Sequence, residues 1–430
     1  MTGKKVVVIV VDGMTPETFE RAAGDPRAPA LSFLAAHGTY RRATSVFPSL
    51  TPVCLSSIAT GAMPDVHHIP HLVWWHRGER RIVEYGSSFA ALRAAGVAQA
   101  LADTVYNMNR KHLNAGAPTV FESVEEAGLV AAAVNITCYR GRTRYLPTIP
   151  WLTKPAYGPK RFFYYSLFES DATGAPFAVR NRAAGSTDAY AAAVGRWLVT
   201  RDGFDLLAYY LSDFDYASHL HGPAGAEEVA LARVDGAIQA LFDAAGGADA
   251  FLERYAVVLL SDHGQTQVDR SAQLETRLAR FSGEIVVCAS NRAAQVYLLP
   301  GARADAAELA RTLDGEPSVD VTLRLDGEDV VVRRDGADGR ADELEHPDAA
   351  RRTLAALANP NAGELLVSAA EGWEFADMGG RHHAGGGSHG SLVAGDSFVP
   401  MLSIGIDAEL ARITDVAPAA LAHLGVLDAV

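Results

Sequence analysis

The sequence has few cysteines, no long apolar run and no excess of positive charge. Its three cysteines (Cys54, Cys138 and Cys288) are odd in number and far apart, which excludes a disulfide framework and a paired-cysteine zinc motif and fits a reducing compartment. No stretch reaches the roughly 18 apolar residues of a membrane helix. The run Val6–Val11 is too short for a signal-peptide core. We therefore expect a cytoplasmic protein with no membrane partner.

The charge balance is acidic, with 38 Lys and Arg against 51 Asp and Glu and a net charge of −13. A nucleic acid polymer needs a concentrated positive face, so this balance argues against one as a partner. A small anionic substrate is still compatible, because a bound metal ion can supply the local positive charge. The 430 residues, 49% of them hydrophobic, suffice for a large core. The length allows about three domains or one large α/β domain with an insertion.

Apolar runs alternate with helical stretches along the chain. Val6–Val11, Phe204–Leu211 and Tyr255–Ser261 are typical of strands buried on both faces. Helical patterns cover Thr15–Ala23, Ala30–Ala36, Thr119–Ala127, Thr187–Leu198 and Ala226–Ala244. This alternation predicts an α/β fold with a mainly parallel central sheet flanked by helices.

Two regions interrupt that alternation. Residues 139–185 are rich in Tyr, Phe, Pro and Gly, which predicts a loop over a cleft. In residues 275–375, Val319–Leu325 and Asp329–Arg334 flank Asp326-Gly327, a strong hairpin signal. We therefore expect a catalytic core of residues 1–274 and 376–430, with 275–375 as a small inserted α+β subdomain.

Carboxylates follow the predicted strands. Asp12, Asp262 and either Asp213 or Asp215 stand where ligands bind in open α/β sheets, at the carboxyl ends of the strands. An Asp-Gly pair after a strand also forms an ordinary turn, and this is the simpler interpretation of Asp12 taken alone. Burying a bare carboxylate is costly, so a divalent metal ion is the easier explanation for Asp262.

Histidines accompany these acids. Asp215 and His219 are four residues apart and would share one helix face, although such a pair also occurs as a cap or a surface pair. His263 directly follows Asp262. His389 lies in a glycine-rich segment that permits close backbone approach, where His382 and His383 compete with it as candidate ligands.

Thr51 is the candidate nucleophile. Thr51 followed by Pro52 predicts a helix N-cap with proline at the first helical position, and Gly61 predicts the end of that helix. A hydroxyl there lies in positive potential beside free N–H groups that suit a phosphate, and a metal ion would favour its alkoxide. Ser49 is the rival nucleophile on spacing.

Taken in order, these segments resemble the alkaline phosphatase superfamily, and most closely its type I phosphodiesterase/nucleotide pyrophosphatase branch. The segments that carry the resemblance are Val-Val-Val-Ile-Val-Val-Asp12-Gly-Met, Phe47-Pro-Ser-Leu-Thr51, Thr60-Gly61-x-x-Pro64-x-x-His67, Asp215-x-x-x-His219-x-x-Gly222-Pro223, Ser261-Asp262-His263-Gly264 and Ser388-His389-Gly390. Each is weak alone, but their common order over most of the chain is a strong signal.

The resemblance implies two adjacent zinc ions, with Mn²⁺ or Fe as alternatives. One would be held by Asp215, His219 and His389, and the other by Asp12, Asp262, His263 and the Thr51 hydroxyl. Carboxylate and imidazole ligands without thiolate suit these metals. The implied reaction is hydrolysis of phosphodiester or nucleotide pyrophosphate bonds in two steps. Thr51 attacks phosphorus to form a phospho-threonine, which metal-activated water then releases.

The sequence departs from that family in its substrate contacts. The family carries an Asn that donates to a phosphoryl oxygen, and Leu72 stands at the aligned position; His71, Asn107 and Asn135 are candidate replacements. The family glycine after the first histidine of that motif is His68 here.

Further contacts come from basic and aromatic residues. Arg140, in Arg140-Gly-Arg142-Thr-Arg144, is a candidate for a second phosphate or an ordinary salt-bridge partner. The aromatic residues of the same regions would stack on a base or aryl group, or simply pack in the core: Trp74, Trp75, Tyr139, Phe162, Phe163, Tyr164 and Tyr165.

The expected partner is a small phosphorylated substrate, with a nucleotide as one candidate, and the oligomeric state is left open. The same site would also serve phosphomonoester hydrolysis, phosphonate cleavage or phosphoryl transfer, because relatives in the superfamily do all three. The remaining alternative is a non-enzymatic metal-binding protein, against which the intact ligand positions argue.

Overall fold

The structure is a computed structural model that describes residues 3–148, 154–170 and 186–427. Its strands are β1 (Lys5–Val11), β2 (Thr39–Thr44), β3 (Val73–His76), β4 (Arg81–Glu84), β5 (Ala131–Val134), β6 (Thr143–Tyr145), β7 (Ala156–Gly158), β8 (Arg161–Phe163), β9 (Leu206–Leu211), β10 (Tyr255–Leu260), β11 (Thr266–Ala272), β12 (Ile285–Ser290), β13 (Ala293–Leu298), β14 (Val319–Asp326), β15 (Asp329–Arg334), β16 (Ala337–Arg340), β17 (Leu365–Ala369), β18 (Gly372–Phe375), β19 (Gly387–Ser388) and β20 (Phe398–Ile404).

The α-helices are α1 (Pro16–Ala22), α2 (Pro29–His37), α3 (Thr51–Thr60), α4 (Pro64–His67), α5 (Phe89–Ala95), α6 (Val97–Ala102), α7 (Val120–Glu126), α8 (Thr187–Thr200), α9 (Asp213–Ala245), α10 (Ala248–Arg254), α11 (Leu274–Arg277), α12 (Ala306–Leu313), α13 (Ala349–Leu357), α14 (Ala394–Ser397) and α15 (Val416–His423). A π-helix covers Asp103–His112, and 3₁₀ turns cover Ala279–Phe281, Ala341–Glu343 and Ile413–Asp415.

The central sheet has the strand order β2-β20-β10-β1-β9-β5-β8. Strands β10, β1, β9, β5 and β8 are parallel to one another, and β20 is antiparallel to β10 and β2. Alternate side chains of β1 enter separate apolar clusters, with Val6, Val8 and Val10 in one and Val7 and Val11 in the other. Burial on both faces explains the continuous apolar run. The predicted α/β fold with a mainly parallel sheet is confirmed.

A second, antiparallel sheet has the strand order β12-β13-β17-β14-β15-β16. Leu309 and Leu313 of α12 pack in one apolar cluster with this sheet, and Leu357 of α13 packs in another. The predicted hairpin is confirmed, because Asp326 pairs with Asp329 across a two-residue turn. All strands of this sheet lie within residues 275–375, while the division into core and inserted subdomain stays a prediction.

The prediction of loop over residues 139–185 is wrong in part. The region contains β6 and β7, which form a two-stranded sheet, and β8, which pairs in parallel with β5 at the edge of the central sheet. Phe162 and Phe163 of β8 are fully buried, so its aromatic residues belong to the core. Residues 149–153 and 171–185 of the predicted loop lie outside the described residues.

Helix α9 bends early in its course. Gly222 has φ 75° and ψ 167° and is followed by Pro223, so the helical geometry is interrupted there and resumes afterwards. A side chain at Gly222 would collide with Gln267, since a Cβ would lie 2.1 Å from its Oε1 atom. The interruption confines Asp215 and His219 to a short first segment directly after β9.

Within the described ranges, we find no helix that combines the length and the apolar character needed to span a membrane.

A buried ion pair joins the two sheets. Arg292, between β12 and β13, and Asp396 of α14 are both 0% exposed, and Nη1 lies 2.7 Å from Oδ1. The guanidinium also donates to the carbonyls of Trp373 and Ala370 at 3.0 Å each. Asp396 accepts further hydrogen bonds from the N–H and the hydroxyl of Ser391, two residues after His389. The pair therefore connects the second sheet to the glycine-rich segment.

Replacing one partner of this pair should destabilise the protein strongly, because it leaves a buried charge without compensation. We expect Arg292→Met to lower the free energy of unfolding by about 3–5 kcal/mol, measured by urea denaturation. Arg340→Met removes an exposed pair with Asp342 and should cause no measurable change. Equal stability of the two variants would contradict this assignment.

Candidate metal centre

Three parallel strands bring the acidic residues to one edge of the central sheet. Val10 pairs with Leu260 and Val11 with Leu211, so the ends of β10, β1 and β9 lie side by side. The N–H of Asp12 continues the ladder by donating to the Leu211 carbonyl at 2.9 Å. The segments after these strands therefore meet at one place, as the sequence predicts.

The first group of candidate ligands comprises Asp215, His219 and His389, whose ligand atoms all lie within 4.8 Å of one another. His219 Nε2 is 3.2 Å from Asp215 Oδ2, and His389 Nε2 is 3.9 Å from Asp215 Oδ1. Both rings are oriented by their other nitrogen, which donates at 2.8 Å to the carbonyl of Gly387 or of Ser49. Each Nε2 is therefore free to face the carboxylate.

The second group comprises Asp12, Asp262 and His263, again within 4.8 Å and entirely buried. His263 Nε2 lies 3.2 Å from Asp12 Oδ1 and 3.5 Å from Asp262 Oδ2. Its Nδ1 donates to the Gly264 carbonyl at 3.0 Å. The rings of His263 and His389 stack with centroids 3.6 Å apart, which places the two groups next to each other.

Gly13 makes this approach possible. It has φ 68°, and a Cβ there would lie 2.9 Å from Oδ1 of Asp215. A larger residue would push the first turn of α9 away from the end of β1. The Asp12-Gly13 pair is thus both a turn and part of the site, so the two interpretations of Asp12 are compatible.

The charges of the second group are not balanced by the protein alone. Burial and the neighbouring Asp12 raise the pKa of Asp262 well above its usual value. Burial disfavours the imidazolium of His263, but Asp262 and Asp12 outweigh it and raise the pKa of His263 to about 10. Without a metal ion, bound protons therefore neutralise the charge of these acids, which a metal cation could neutralise in their place.

In the first group, the histidines offset the charge of the carboxylate. Burial opposes ionisation of Asp215, but His219 and His389 hold the pKa of that carboxyl below its usual range. Burial opposes protonation of His219, yet Asp215 raises its pKa. Burial together with the charge of His263 lowers the pKa of His389 well below its usual value, so this ring is neutral and ready to ligate.

Two buried carboxylate oxygens indicate that the residues fit a metal ion. Among the described residues, Asp12 Oδ1 and Asp262 Oδ2 accept no hydrogen bond of good geometry, although His263 Nε2 lies 3.2 Å and 3.5 Å from them. Oxygens without a partner are costly in the interior, and a divalent cation satisfies both. A donor set of carboxylates and imidazoles without thiolate suits Zn²⁺, Mn²⁺ or Fe²⁺.

Thr51 lies against the second group, with Oγ1 3.1 Å from His263 Nε2. The predicted N-cap is wrong by one residue: Leu50 is the N-cap, and Thr51 is the first residue of α3. The Leu50 carbonyl accepts the N–H groups of Val53 and Cys54. The Thr51 hydroxyl therefore does not cap the helix, and it points into the site. Gly61 ends the helix as predicted.

The rival candidates have other partners. Ser49 is buried and donates to the Ser391 carbonyl at 3.2 Å. Asp213 accepts from the N–H and hydroxyl of Thr187, so Asp215 is the acid that joins the group. His382 is exposed. His383 pairs with buried Glu374 at 3.0 Å and stacks on His219 from outside.

Several candidate substrate residues make contacts away from the two groups of candidate metal ligands. His71 is fully buried, its Nδ1 accepts the N–H of Val73, and burial lowers its pKa to about 4. Leu72 packs against the apolar core. Asn107 donates to Asp103 at 2.7 Å.

Arg140 has partners within the protein, and its contact to a phosphate stays a prediction. Its guanidinium pairs with Glu122 at 2.9 Å and donates to the carbonyls of Leu113, Asn114 and Ala117. These bonds join neighbouring loops, as expected if Arg140 is an ordinary salt-bridge partner. Arg142 likewise pairs with Glu126.

Asn135 follows β5 and has a buried side-chain nitrogen with no partner among the described residues. Its Oδ1 accepts the N–H of Tyr165 at 2.9 Å. Most of the aromatic candidates are core residues, since Trp74, Tyr139, Phe162, Phe163 and Tyr164 are all buried. Tyr165 is an exception, with 37% of its surface exposed.

Three residues at the site were not found from the sequence. The Tyr210 hydroxyl donates to Asp12, the Gln265 amide donates to Asp215, and the Asn291 amide nitrogen lies 2.9 Å from His389 Nε2. Only Gln265 had a usable signal, because it closely follows Asp262 and His263. Tyr210 is hidden in a buried strand, and Asn291 comes from the second sheet.

Comparison with solved structures supports the fold. Murine ectonucleotide pyrophosphatase/phosphodiesterase 5 matches with a TM-score of 0.65 and 16% identity, over 99% of this chain and 96% of that one. The same enzyme in an inactive threonine-to-alanine form, in complex with AMP, matches at TM-score 0.65 and 15% identity, with the same coverage.

A bacterial enzyme is similar to the same degree. Phosphonoacetate hydrolase from Sinorhizobium meliloti 1021, in complex with phosphonoformate, matches with a TM-score of 0.65 and 19% identity, over 98% of this chain and 96% of that one. No curated protein matches the sequence significantly.

The family model of type I phosphodiesterase/nucleotide pyrophosphatase matches residues 6–392, which include both ligand groups and Thr51. This chain therefore belongs to the type I phosphodiesterase/nucleotide pyrophosphatase family.

Proposed function

We propose that this protein is a metal-dependent hydrolase of phosphodiester or nucleotide pyrophosphate bonds with Thr51 as its nucleophile. The observation that carries the proposal is the position of the Thr51 hydroxyl at the start of α3, 3.1 Å from His263 Nε2 and beside two groups of candidate metal ligands. A hydroxyl is a weak nucleophile at neutral pH and needs such surroundings to be activated.

Seven residues would hold the metal ions, for which a zinc pair is our first choice. They are Asp215, His219 and His389 for one ion and Asp12, Asp262, His263 and the Thr51 hydroxyl for the other. When bound, the ions supply the positive charge that favours the threonine alkoxide and neutralises the phosphoryl oxygens. Manganese and iron suit the same donors.

The chain's own residues account for two covalent steps. Thr51 Oγ would lose its proton to solvent and form a bond to phosphorus while the bond from phosphorus to the leaving oxygen breaks, and the leaving oxygen would take up a proton from solvent. Water would then cleave the threonine phosphate, which restores the Thr51 hydroxyl and releases the phosphoryl group as a monoester. The N-terminus of α3 adds positive potential at the attacking oxygen. Fixed imidazole and carboxylate orientations mean that little rearrangement is needed during the reaction.

Two relatives support this choice of residue and substrate class. The murine enzyme's threonine-to-alanine form is described as inactive and holds AMP, which agrees with a threonine nucleophile and a nucleotide ligand. The Sinorhizobium enzyme, which holds phosphonoformate, makes phosphonate hydrolysis the second candidate reaction. Identity to both enzymes is below 20%, so the leaving group is identified by comparing substrates experimentally.

The charge around the ligands favours a diester over a monoester. Within the described ranges, the ion pairs of Asp12, Asp215 and Asp262 are all with histidines, and none is with an Arg or Lys. A monoester carries an additional negative charge that a further cation would be needed to balance. A singly charged diester or an internal pyrophosphate bond needs less positive charge around it.

We expect Thr51→Ala to lower kcat/KM for a nitrophenyl phosphodiester by about 10³-fold or more, because the attacking oxygen is lost. Zinc content, measured by plasma mass spectrometry, should be largely retained. Thr51→Ser should keep part of the activity, and Ser49→Ala should still form the phosphoenzyme. Full activity of Thr51→Ala would overturn the proposal.

The ratio of two kcat/KM values distinguishes the candidate reactions. For zinc-loaded protein we expect bis(p-nitrophenyl) phosphate to be preferred over p-nitrophenyl phosphate, because among the described residues none of the three acids pairs with an Arg or Lys. A ratio well below one would identify the protein as a phosphomonoesterase that uses the same ligands.

Metal binding should release protons. With its pKa raised to about 10, His263 is protonated in the metal-free protein at neutral pH, and it must lose that proton to ligate. We expect at least one proton to be released per protein at pH 7.5, and less release as the pH approaches 10. Titration calorimetry of zinc in buffers of different ionisation enthalpy measures this, and heats independent of the buffer would contradict it.

A further inference from the structure

Asn291 lies in the turn between β12 and β13 of the second sheet and is buried, with 6% of its surface exposed. Its φ of 57° is in the left-handed region, which asparagine tolerates better than most residues. This turn brings the side chain from the second sheet to the ligand His389 of the glycine-rich segment.

Hydrogen bonding determines which end of the amide faces the site. His389 Nδ1 donates to the Ser49 carbonyl at 2.8 Å, so its Nε2 carries no proton and can only accept. The group 2.9 Å from Nε2 is therefore the NH₂ of Asn291. The Ser290 hydroxyl, which donates to Asn291 Oδ1 at 3.1 Å, supports the same orientation.

The turn is held firmly in place. The N–H of Arg292 donates to the His389 carbonyl at 2.9 Å, and the Asn291 carbonyl accepts the N–H of Phe375 at 2.7 Å. The buried pair of Arg292 with Asp396 anchors the next residue. A donor fixed in this way loses little conformational entropy and needs little rearrangement when a ligand binds.

The start of α3 has few donors for a phosphoryl oxygen. Pro52 has no N–H, and the N–H groups of Val53 and Cys54 are used by the Leu50 carbonyl. The free N–H groups expected at this helix start are therefore reduced, in the described part of the chain, to that of Thr51. Leu72, in the core, cannot donate either.

We propose that Asn291 is a substrate-binding residue whose side-chain NH₂ donates a hydrogen bond to a phosphoryl oxygen. The single lone pair of His389 Nε2 cannot both accept from Asn291 and bind a metal ion. In the loaded protein the amide therefore needs another acceptor, and an anionic phosphoryl oxygen at the same ligands provides it. The assignment rests on the proposed function for metal occupancy and for the class of ligand.

The test separates ligand binding from turnover. Zinc-loaded Thr51→Ala protein is titrated with AMP and with inorganic phosphate by calorimetry, with and without Asn291→Asp or Asn291→Gly. Gly removes the donor without adding charge and tolerates the positive φ, whereas Asp keeps the shape but adds a negative charge, so a loss of binding is assigned to the donor only where Asn291→Gly shows it. Asn359→Asp is the matched control, because Asn359 is also buried but donates to the Pro64 carbonyl.

We expect either Asn291 variant to weaken binding of both anions by about 10-fold or more, the usual effect of losing a hydrogen bond to a charged group. With Thr51 intact, kcat/KM for the nitrophenyl diester should fall by about 10²-fold. Zinc affinity, measured by chelator competition, should be retained, and the control should match its parent in anion binding.

Three results would overturn the assignment: anion binding unchanged in Asn291→Gly, no binding of either anion to the zinc-loaded parent, or a parallel loss of zinc affinity in Asn291→Gly. The last would make Asn291 a metal ligand or a support of His389. If the wild-type protein cleaves no phosphate ester while the variants still lose anion binding, the proposed reaction fails and the Asn291 site stands.

Discussion

The site depends on one electrostatic constraint, which is that parallel strands deliver several carboxylates to the same buried edge. Asp12 and Asp262 follow neighbouring strands in register, and Asp215 enters from the helix after the third. Buried like charges are unstable unless something neutralises them. The raised pKa values of Asp262 and His263 show how the protein compensates with protons. A pair of divalent cations resolves the same conflict more completely.

The three imidazoles serve this constraint because the surrounding loops orient them. His219, His263 and His389 each donate through Nδ1 to a main-chain carbonyl, which leaves Nε2 directed at a carboxylate. The accepting carbonyls come from segments far apart in the sequence, so the loops form a common second layer behind the ligands. The ligand geometry is thus a property of the fold and does not depend on the ligand side chains alone.

Local patterns in the sequence were enough to predict the parallel strands and the acids that follow them. A buried strand is apolar over its whole length, and its end is marked by the first charged residue, so β1 and Asp12 could be located together. The choice between Asp213 and Asp215 needed the structure, because it depends on Thr187 of a different helix. Thr51 lies beside His263, as the resemblance implied, although the helix start is displaced by one residue.

Contacts between distant segments could not be predicted in the same way. Strand β8 is three residues long and gains its pairing from β5, so it has too few residues to show a period. Tyr210 and Asn291 reach the ligands only because the sheets pack as they do, and neither stands in a recognisable motif. Family resemblance did not help at Asn291, since the expected donor position is Leu72 and the amide comes from another part of the chain.

In the proposed function, the candidate metal ligands are separate from the residue proposed to contact the substrate. The ligand acids are built on the central sheet and tolerate little change, because any loss unbalances a buried charge. The second sheet reaches the site through the short turn at Asn291 and Arg292, which is held by Asp396 and by the His389 carbonyl. If Asn291 binds a phosphoryl oxygen as proposed, changes in that turn would alter this contact while leaving the carboxylates in place. Fold and ligands can thus be common to a family whose members act on different phosphorus compounds.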